Sequence, residues 1–275
     1  MFDAAFDFTD RHVLVTGGTR GLGLAIAQAF SDSGARVSIT GTKIVPTLYD
    51  ADLSRFRYHQ LQLTNSDAID TFVDRVGHVD VLVNAAAARL GTAMADHERE
   101  FVSHSARLGF IGPLRLAHQL RPELTRSTLQ GGGAVVHTNS TLRWLELTHT
   151  PAEAEAELRA HTSRTGRAWA ALNTRVNTVL APARLAVPHQ PRPHLAVINP
   201  GRYDDTWAPA DPHSAQLGGQ RGGHPAGTLL TRPRVTSATT AQLAAAAQVT
   251  SVILFLASGA GSAVSGHTIQ ALPRS

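Results

Sequence analysis

Two stretches of this 275-residue chain carry residue types that could do chemistry. TGGTRGLG at 16–23 follows a short β-branched run, HVLVT (12–16), and opens LGLAIAQAFSDSG, whose apolar spacing is helical. Gly17, Gly21 and Gly23 have no Cβ, so the backbone can turn tightly, admit a pyrophosphate to a helix N-terminus and let that helix pack closely. Thr19, Arg20 and Leu22 complete the turn. A strand, a glycine turn and a helix in that order point to a dinucleotide site. The second stretch is RAHTSRTGRAWAALN at 159–173, where His161, Thr165 and Trp169 are spaced by four and share one stripe of a helix. An imidazole titrates near neutrality and can act as acid or base. Among fourteen histidines, any single one is more often a partly exposed surface residue, so its role depends on what stands beside it.

The elements that must position these residues alternate along the chain. HVLVT and RVSIT (36–40) flank the first helix and form a βαβ unit, which implies parallel neighbours and a right-handed crossover. YHQLQL (58–63), VDVLVN (79–84), GAVVHTN (133–139) and HLAVIN (194–199) read as further strands, and the last strand lies near GHTIQAL. Helical patterns fill 66–76, 96–126, 152–180 and the TTAQLAAAAQVTSVILFLAS run before the last strand. This alternation predicts a single α/β domain over 1–275, a doubly wound parallel sheet of Rossmann type with helices in layers on both faces. Residues 201–237, rich in Gly, Pro, His and Arg, read as an irregular lid over a pocket.

The glycine turn, with its Gly-x-x-x-Gly-x-Gly spacing, resembles that of the short-chain dehydrogenase/reductase family of classical length. VDVLVNAAA (79–87) is similar to the family's fourth strand and its Asn-Asn-Ala-Gly motif, here with Asn84 retained but Ala85 and Ala87 at the second asparagine and the closing glycine. GAVVHTNST (133–141) resembles the strand that ends in the catalytic serine, which puts Ser140 in that role. INPG (198–201), with Pro200 and Gly201, resembles the turn after the next strand, and 251–269 resembles the C-terminal helix and strand. The resemblance implies a nicotinamide cofactor and a carbonyl or alcohol substrate.

Charge at the end of the second strand bears on which cofactor. In the family an acidic residue there bonds the 2′-hydroxyl of NAD, whereas basic residues receive the 2′-phosphate of NADP. This strand ends ITGTK without a carboxylate, and Lys43 and Arg20 are the basic candidates, so NADP(H) is the expected cofactor. Gln62 stands where the family usually has an aspartate near adenine.

The family's proton donor is a tyrosine with a lysine four residues later. Lys43 is the sole lysine, and none of Tyr49, Tyr58 and Tyr203 precedes it by four. Laying AWAALN on the family pattern puts Trp169 at the lysine and Thr165 at the tyrosine, and counting back from GPLRL (112–116) puts Gly109, with His104 and Ser105 about a turn away, at the helper asparagine. Ser140 and Thr165 are then 25 residues apart where the family has about a dozen, so 142–164 reads as an inserted N-terminal extension of the catalytic helix, with Thr150 before Pro151 as a start signal. A positioned general acid is worth about 10² to 10⁴ in rate. The expectation is an atypical oxidoreductase in which Ser140 orients a carbonyl and His161, or Tyr203 in the lid, handles the proton. A non-redox lyase, isomerase or cyclase, or a catalytically silent subunit paired with an active homologue, are the competing readings.

Composition removes other classes. Without cysteine there is no disulfide, thiolate metal site or thiol nucleophile, and no metal is expected. A net charge of +4 with scattered arginines argues against nucleic acid, and the longest apolar run near the C-terminus, VILFLA (252–257), is too short to span a bilayer. The opening MFDAAFDFTD has neither leader nor transit character, so a cytoplasmic protein is expected. The resemblance implies a homodimer or homotetramer.

Overall fold

The computed structural model describes residues 6–86, 103–181 and 240–271. Seven strands form one all-parallel sheet in the order β3-β2-β1-β4-β5-β6-β7. They are β1 (His12–Thr16), β2 (Arg36–Gly41), β3 (Arg57–Gln60), β4 (Val81–Asn84), β5 (Gly133–His137), β6 (Thr174–Leu180) and β7 (Thr268–Gln270). Register places Thr16 beside Asn84, and Asn84 beside His137, so the ends of β1, β4 and β5 are level. Strand order reverses between β1 and β4, and in such sheets ligands sit outside the carboxyl ends of the strands at that switch point.

Helices cover both faces. On one, α1 (Gly21–Asp32) and α7 (Thr240–Ala257) bury Ile26, Phe30, Val249 and Ile253 against Val13, Val15 and Val136. On the other, α2 (Ser66–Val76), α3 (Gly112–Gln119) and α6 (Pro151–Ala170) close over Leu14, Leu82 and Val135, with Phe72, Leu116 and Trp169 filling the layer. Two short helices, α4 (Arg121–Thr125) and α5 (Ser140–Leu145), flank β5. Local chemistry sets the boundaries. Asn65 caps α2 by accepting from the Ala68 amide at 3.1 Å, and α1 ends just before Gly34. Thr150 and Glu153 form a reciprocal capping box at the start of α6. Thr150→Ala removes that box and is expected to lower stability by about 1 kcal/mol in urea unfolding.

The sixth strand differs from expectation. The helical pattern assigned to 152–180 stops at Ala170, and Thr174–Leu180 is β6, every residue of it buried. HLAVIN at 194–199 therefore is not the strand beside β5, and it lies, with INPG and the 201–237 stretch, outside the described residues. Arg175 explains how a polar strand can be central. Its buried guanidinium donates to the carbonyls of Gly131, Leu256, Ala257 and Gly261, which include the last carbonyls of α7. A cation at a helix C-terminus also meets the negative end of its dipole. Burial pulls this guanidinium down to about 10, still charged at neutral pH.

The strand also corrects the catalytic-helix register. Because α6 runs into β6 through residues 171–173, its C-terminal end lies at the edge of the sheet opposite the strand ends that hold Thr16 and Asn84. Trp169 is packed there, with its ring 5.3 Å from His118 and its side chain in the core with Leu124 and Val176. Trp169 and Thr165 therefore do not occupy the lysine and tyrosine positions. A spacing of about a dozen from Ser140 falls instead on the first turn of α6. Residues 142–164 are not one helical extension: they contain the end of α5, a turn and the first part of α6.

Candidate active site

The glycine turn lies where the switch point requires. Gly17 has φ +67°, and a Cβ on it would stand 2.7 Å from the Ala86 Cα, so only glycine lets the β1 and β4 ends meet. Thr16 Oγ accepts from the amides of Ala85 and Ala86 at 3.1 and 3.2 Å, fixing the segment after β4 beside the turn. Gly21 also has a positive φ, and Leu22 is half-buried on α1. Arg20 is the N-cap residue of α1, exposed and making no side-chain cap, and the first turn holds no acidic residue. The amides there are left for an anion.

The adenosine end is defined by β2 and β3. Thr19 is buried against Gly41, the last residue of β2, and Lys43 and Gln62 are exposed nearby on the segments that follow β2 and β3. Tyr49 and Tyr58 stand here too, hydrogen-bonded to the backbone of Lys43. Strands β1 and β4, and for Tyr58 on β3 also β2, separate them from Ser140 just after β5, so neither described tyrosine belongs to the serine's neighbourhood.

Ser140 opens α5 and donates its hydroxyl hydrogen to the Ala86 carbonyl. The helical residues described from 103 widen into a π-helical turn at Arg107–Ile111 before continuing as α3. Gly109 lies in that turn, where a Cβ would be 2.9 Å from the Ser140 carbonyl oxygen and 3.3 Å from the Trp144 Cβ. Thr141 Oγ donates to the Gly109 carbonyl at 3.1 Å. There is thus no room for an asparagine side chain at Gly109. One turn earlier, Ser105 is buried with its hydroxyl unpartnered among the described residues.

On α6, the first two turns bury Ala154 and Leu158 with Leu142, Leu145 and Leu180 in a small apolar cluster. His161 follows one turn after Glu157. It is half-buried, with its ring 5.2 Å from Phe110, which itself stacks on Trp144 at 4.9 Å. Burial first, then Arg164, holds the His161 imidazole below its ordinary value.

Sequence reasoning missed His137. It is buried at the end of β5, where burial and the nearby His161 depress its pKa to about 4, so it is neutral at pH 7. Asn84 Nδ2 donates to His137 Nδ1 at 3.3 Å, which leaves the other imidazole nitrogen to carry the proton. Asn84 Oδ1 is buried without a partner among the described residues. Counting two residues along β5 from the inward-facing Val135 would have put His137 on the α3/α6 face beside Asn84. Asn84, expected at the cofactor, turns its amide nitrogen toward this histidine. Tyr203, Pro200 and Gly201 lie outside the described residues.

A parallel sheet with a glycine turn at its switch point defines a dinucleotide-binding α/β protein. The short chain dehydrogenase family model matches residues 11–180, and the chain belongs to that family, whose members are nicotinamide-dependent oxidoreductases. It is 27% identical over 186 residues to the NAD-dependent glycerol dehydrogenase of Listeria innocua, covering 65% of this chain and 72% of that one. It is 30% identical over 126 residues to the 3-oxoacyl-[acyl-carrier-protein] reductase MabA of Mycobacterium tuberculosis, covering 44% and 48%. Among solved structures, the hydroxysteroid dehydrogenase of Escherichia coli superposes with a TM-score of 0.60 at 18% identity, over 96% of each chain. Among the described residues no helix is long and apolar enough to cross a membrane, and no group of metal-ligating side chains is found.

Proposed function

We propose that this chain is an NADP(H)-binding oxidoreductase that acts on a small-molecule carbonyl or alcohol with non-standard acid–base residues. The observation that carries the cofactor choice is Gly41. As the last residue of β2 it stands where an acidic side chain would select NAD, and Tyr49 and Thr19 leave no space for any side chain. Arg20 and Lys43 supply positive charge on either side of it, and Gln62 offers an amide toward adenine. The glycine turn and the uncapped start of α1 would hold the pyrophosphate.

In the proposed chemistry hydride passes between the bound nicotinamide and the substrate carbon, and Ser140 Oγ orients the carbonyl after releasing Ala86. The proton comes from His161 or from Tyr203, since no tyrosine in the chain has a lysine four residues on. His161 is depressed yet half-exposed, which suits an imidazole that exchanges protons with solvent. Assembly as a homodimer or homotetramer accompanies this reading.

Wild-type protein is titrated with NADPH and NADH by fluorescence and then assayed for NADPH oxidation against a panel of aldehydes and ketones. NADPH should bind more tightly than NADH, and His161→Ala should cut turnover by about 10²-fold or more while leaving NADPH affinity unchanged. Absence of NADPH binding at millimolar concentration defeats the proposal. One observation favours a second reading. The apolar cluster of Ala154, Leu158 and Leu180 fills the part of α6 where the family's polar pair would fall, as suits a non-redox enzyme or a silent subunit paired with an active homologue. Binding of NADPH without turnover, together with co-purification of a homologue, supports that reading.

A further inference from the structure

The segment after β2 is stitched into a fixed arrangement. The Lys43 amide donates to Tyr49 Oη at 3.0 Å, Tyr58 Oη donates to the Lys43 carbonyl, and Gln60 Nε2 donates to the Thr42 carbonyl at 3.0 Å. Lys43 Nζ donates to the Leu48 carbonyl and lies 4.9 Å over the Tyr49 ring, while the two phenol rings pack at 5.9 Å. This brings the Tyr49 hydroxyl directly over Gly41. A Cβ at Gly41 would collide with Tyr49 Oη, with Thr19 Cγ2 only 2.7 Å away and Tyr49 Cζ 3.0 Å away.

We infer that the Tyr49 hydroxyl takes the place of the missing acidic side chain at the end of β2 and, as a hydrogen-bond donor, selects the 2′-phosphate of the dinucleotide. This rests on the NADP(H) reading above. A carboxylate only accepts, so it suits a ribose hydroxyl and repels a phosphate. Tyr49 Oη already accepts from the Lys43 amide. The hydrogen of Tyr58 is committed to the Lys43 carbonyl, so Tyr58 can offer Tyr49 only an acceptor, at a long 3.5 Å. That contact is easily exchanged for a closer phosphate oxygen, and a phenol giving its hydrogen to a phosphate makes a charge-assisted bond. Tyr58 is pushed upward by burial and by Tyr49, so it stays protonated. Lys43 is placed to neutralise the same phosphate.

The full chain, as wild type and as Tyr49→Phe, is titrated by calorimetry with NADPH, NADH, 2′,5′-ADP and 5′-AMP. Tyr49→Phe keeps the ring against Tyr58 and removes only the hydroxyl, so melting curves of the two proteins should nearly coincide. The variant should bind NADPH and 2′,5′-ADP about 10-fold more weakly, the loss expected for one hydrogen bond to a charged group, with NADH and 5′-AMP within twofold of wild type. Equal affinity for NADPH in both proteins overturns the inference while leaving the NADP(H) reading intact, and so does an equal loss for all four ligands. Failure of wild-type protein to bind NADPH overturns the reading and the inference with it. Tyr58→Phe frees the Lys43 carbonyl and removes only the long 3.5 Å contact to Tyr49 Oη, keeping the Tyr49 hydroxyl itself, and a smaller change in that variant separates the phenol at position 49 from general loosening of the loop.

Discussion

Gly23→Val is expected to weaken NADPH binding by about 100-fold or more, roughly 3 kcal/mol. The reason is backbone contact within the turn. A Cβ at Gly23 would run into the Gly17 carbonyl oxygen, with Gly17 C at 2.9 Å and the Gly18 Cα at 3.3 Å. Flexible side chains can move aside, but these atoms belong to the turn that joins β1 to α1, so the helix must lift away from the strand. Lifting it carries the first-turn amides of α1 away from the place where a pyrophosphate would meet them. It also disturbs Gly17, whose left-handed conformation lets the turn lie against Ala86. Gly77→Ala provides the comparison. That glycine has φ +74°, but a Cβ there would have no heavy atom within 4 Å. Its cost is conformational, about 1 kcal/mol, and far from the nucleotide, so NADPH affinity should stay within twofold. Calorimetric titration of both variants, beside melting curves, separates loss of the turn from loss of the fold. Unchanged NADPH affinity in Gly23→Val would show that the turn does not hold the cofactor.

How far the sequence carried depends on whether local chemistry and burial agree. β1 and α2 were legible at their observed bounds because HVLVT is uniformly β-branched or apolar apart from its ends, and because Asn65 and Gly77 punctuate α2 on both sides. β6 was hidden for the opposite reason. Its buried residues include Thr174, Arg175, Asn177 and Thr178, polar groups that the fold satisfies individually: Arg175 on four carbonyls, Asn177 on the Val264 carbonyl and the His267 amide, Thr178 on Thr162. Most of these partners lie 80 or more residues away, where no sequence pattern advertises them. The turn before β6 was hidden as well, since Asn173 takes a positive φ of 51° where a glycine would have marked the helix end. One unseen strand then displaced the catalytic helix, and Thr165 and Trp169 inherited positions that belong near Pro151. The census of tyrosine and lysine survived this error because it never depended on register. The roles of His137 and Tyr49, though not the face on which His137 lies, were hidden for another reason. Each owes its place to a neighbour brought by the sheet or a loop, Asn84 for the first and Gly41 for the second, rather than to any motif of its own.

Acid should unfold this protein well before its carboxylates titrate. His12, His59, His137 and His161 all have depressed values, burial being the first cause in each case. Below 6.5 the unfolded chain takes up protons at these imidazoles while the folded chain does not, so the unfolded state binds more protons and stability must rise with pH. For each histidine the stabilisation is complete above 6.5 and is lost as pH falls toward its folded value. For His137, held at about 4 against an ordinary 6.5, the loss is about 3 kcal/mol by pH 4. The other three add in the same direction. Asp80 extends the decline below that window. Burial alone would raise its carboxyl, but Ser127 Oγ at 2.6 Å, the His12 amide at 2.9 Å and His78 hold it down, so its contribution persists until pH drops below the ordinary carboxylate value. Urea unfolding at pH 7.5 and pH 4.5 should therefore differ by several kcal/mol, and His137→Gln should flatten the slope between pH 6.5 and 4 even if it lowers stability at neutrality. The site responds in the same window. His161 is close enough to depress His137, so protonating the more exposed His161 raises the cost of charging His137 further, and the pair carries one proton rather than two. A proton resident on His161 below neutrality is the state from which the proposed reduction would draw. The pH at which turnover reaches half its maximum should then lie below 6.5, and His137→Gln should leave it in place, because His137 is already neutral where His161 titrates, whereas Arg164→Gln should move it upward by removing that cation's repulsion.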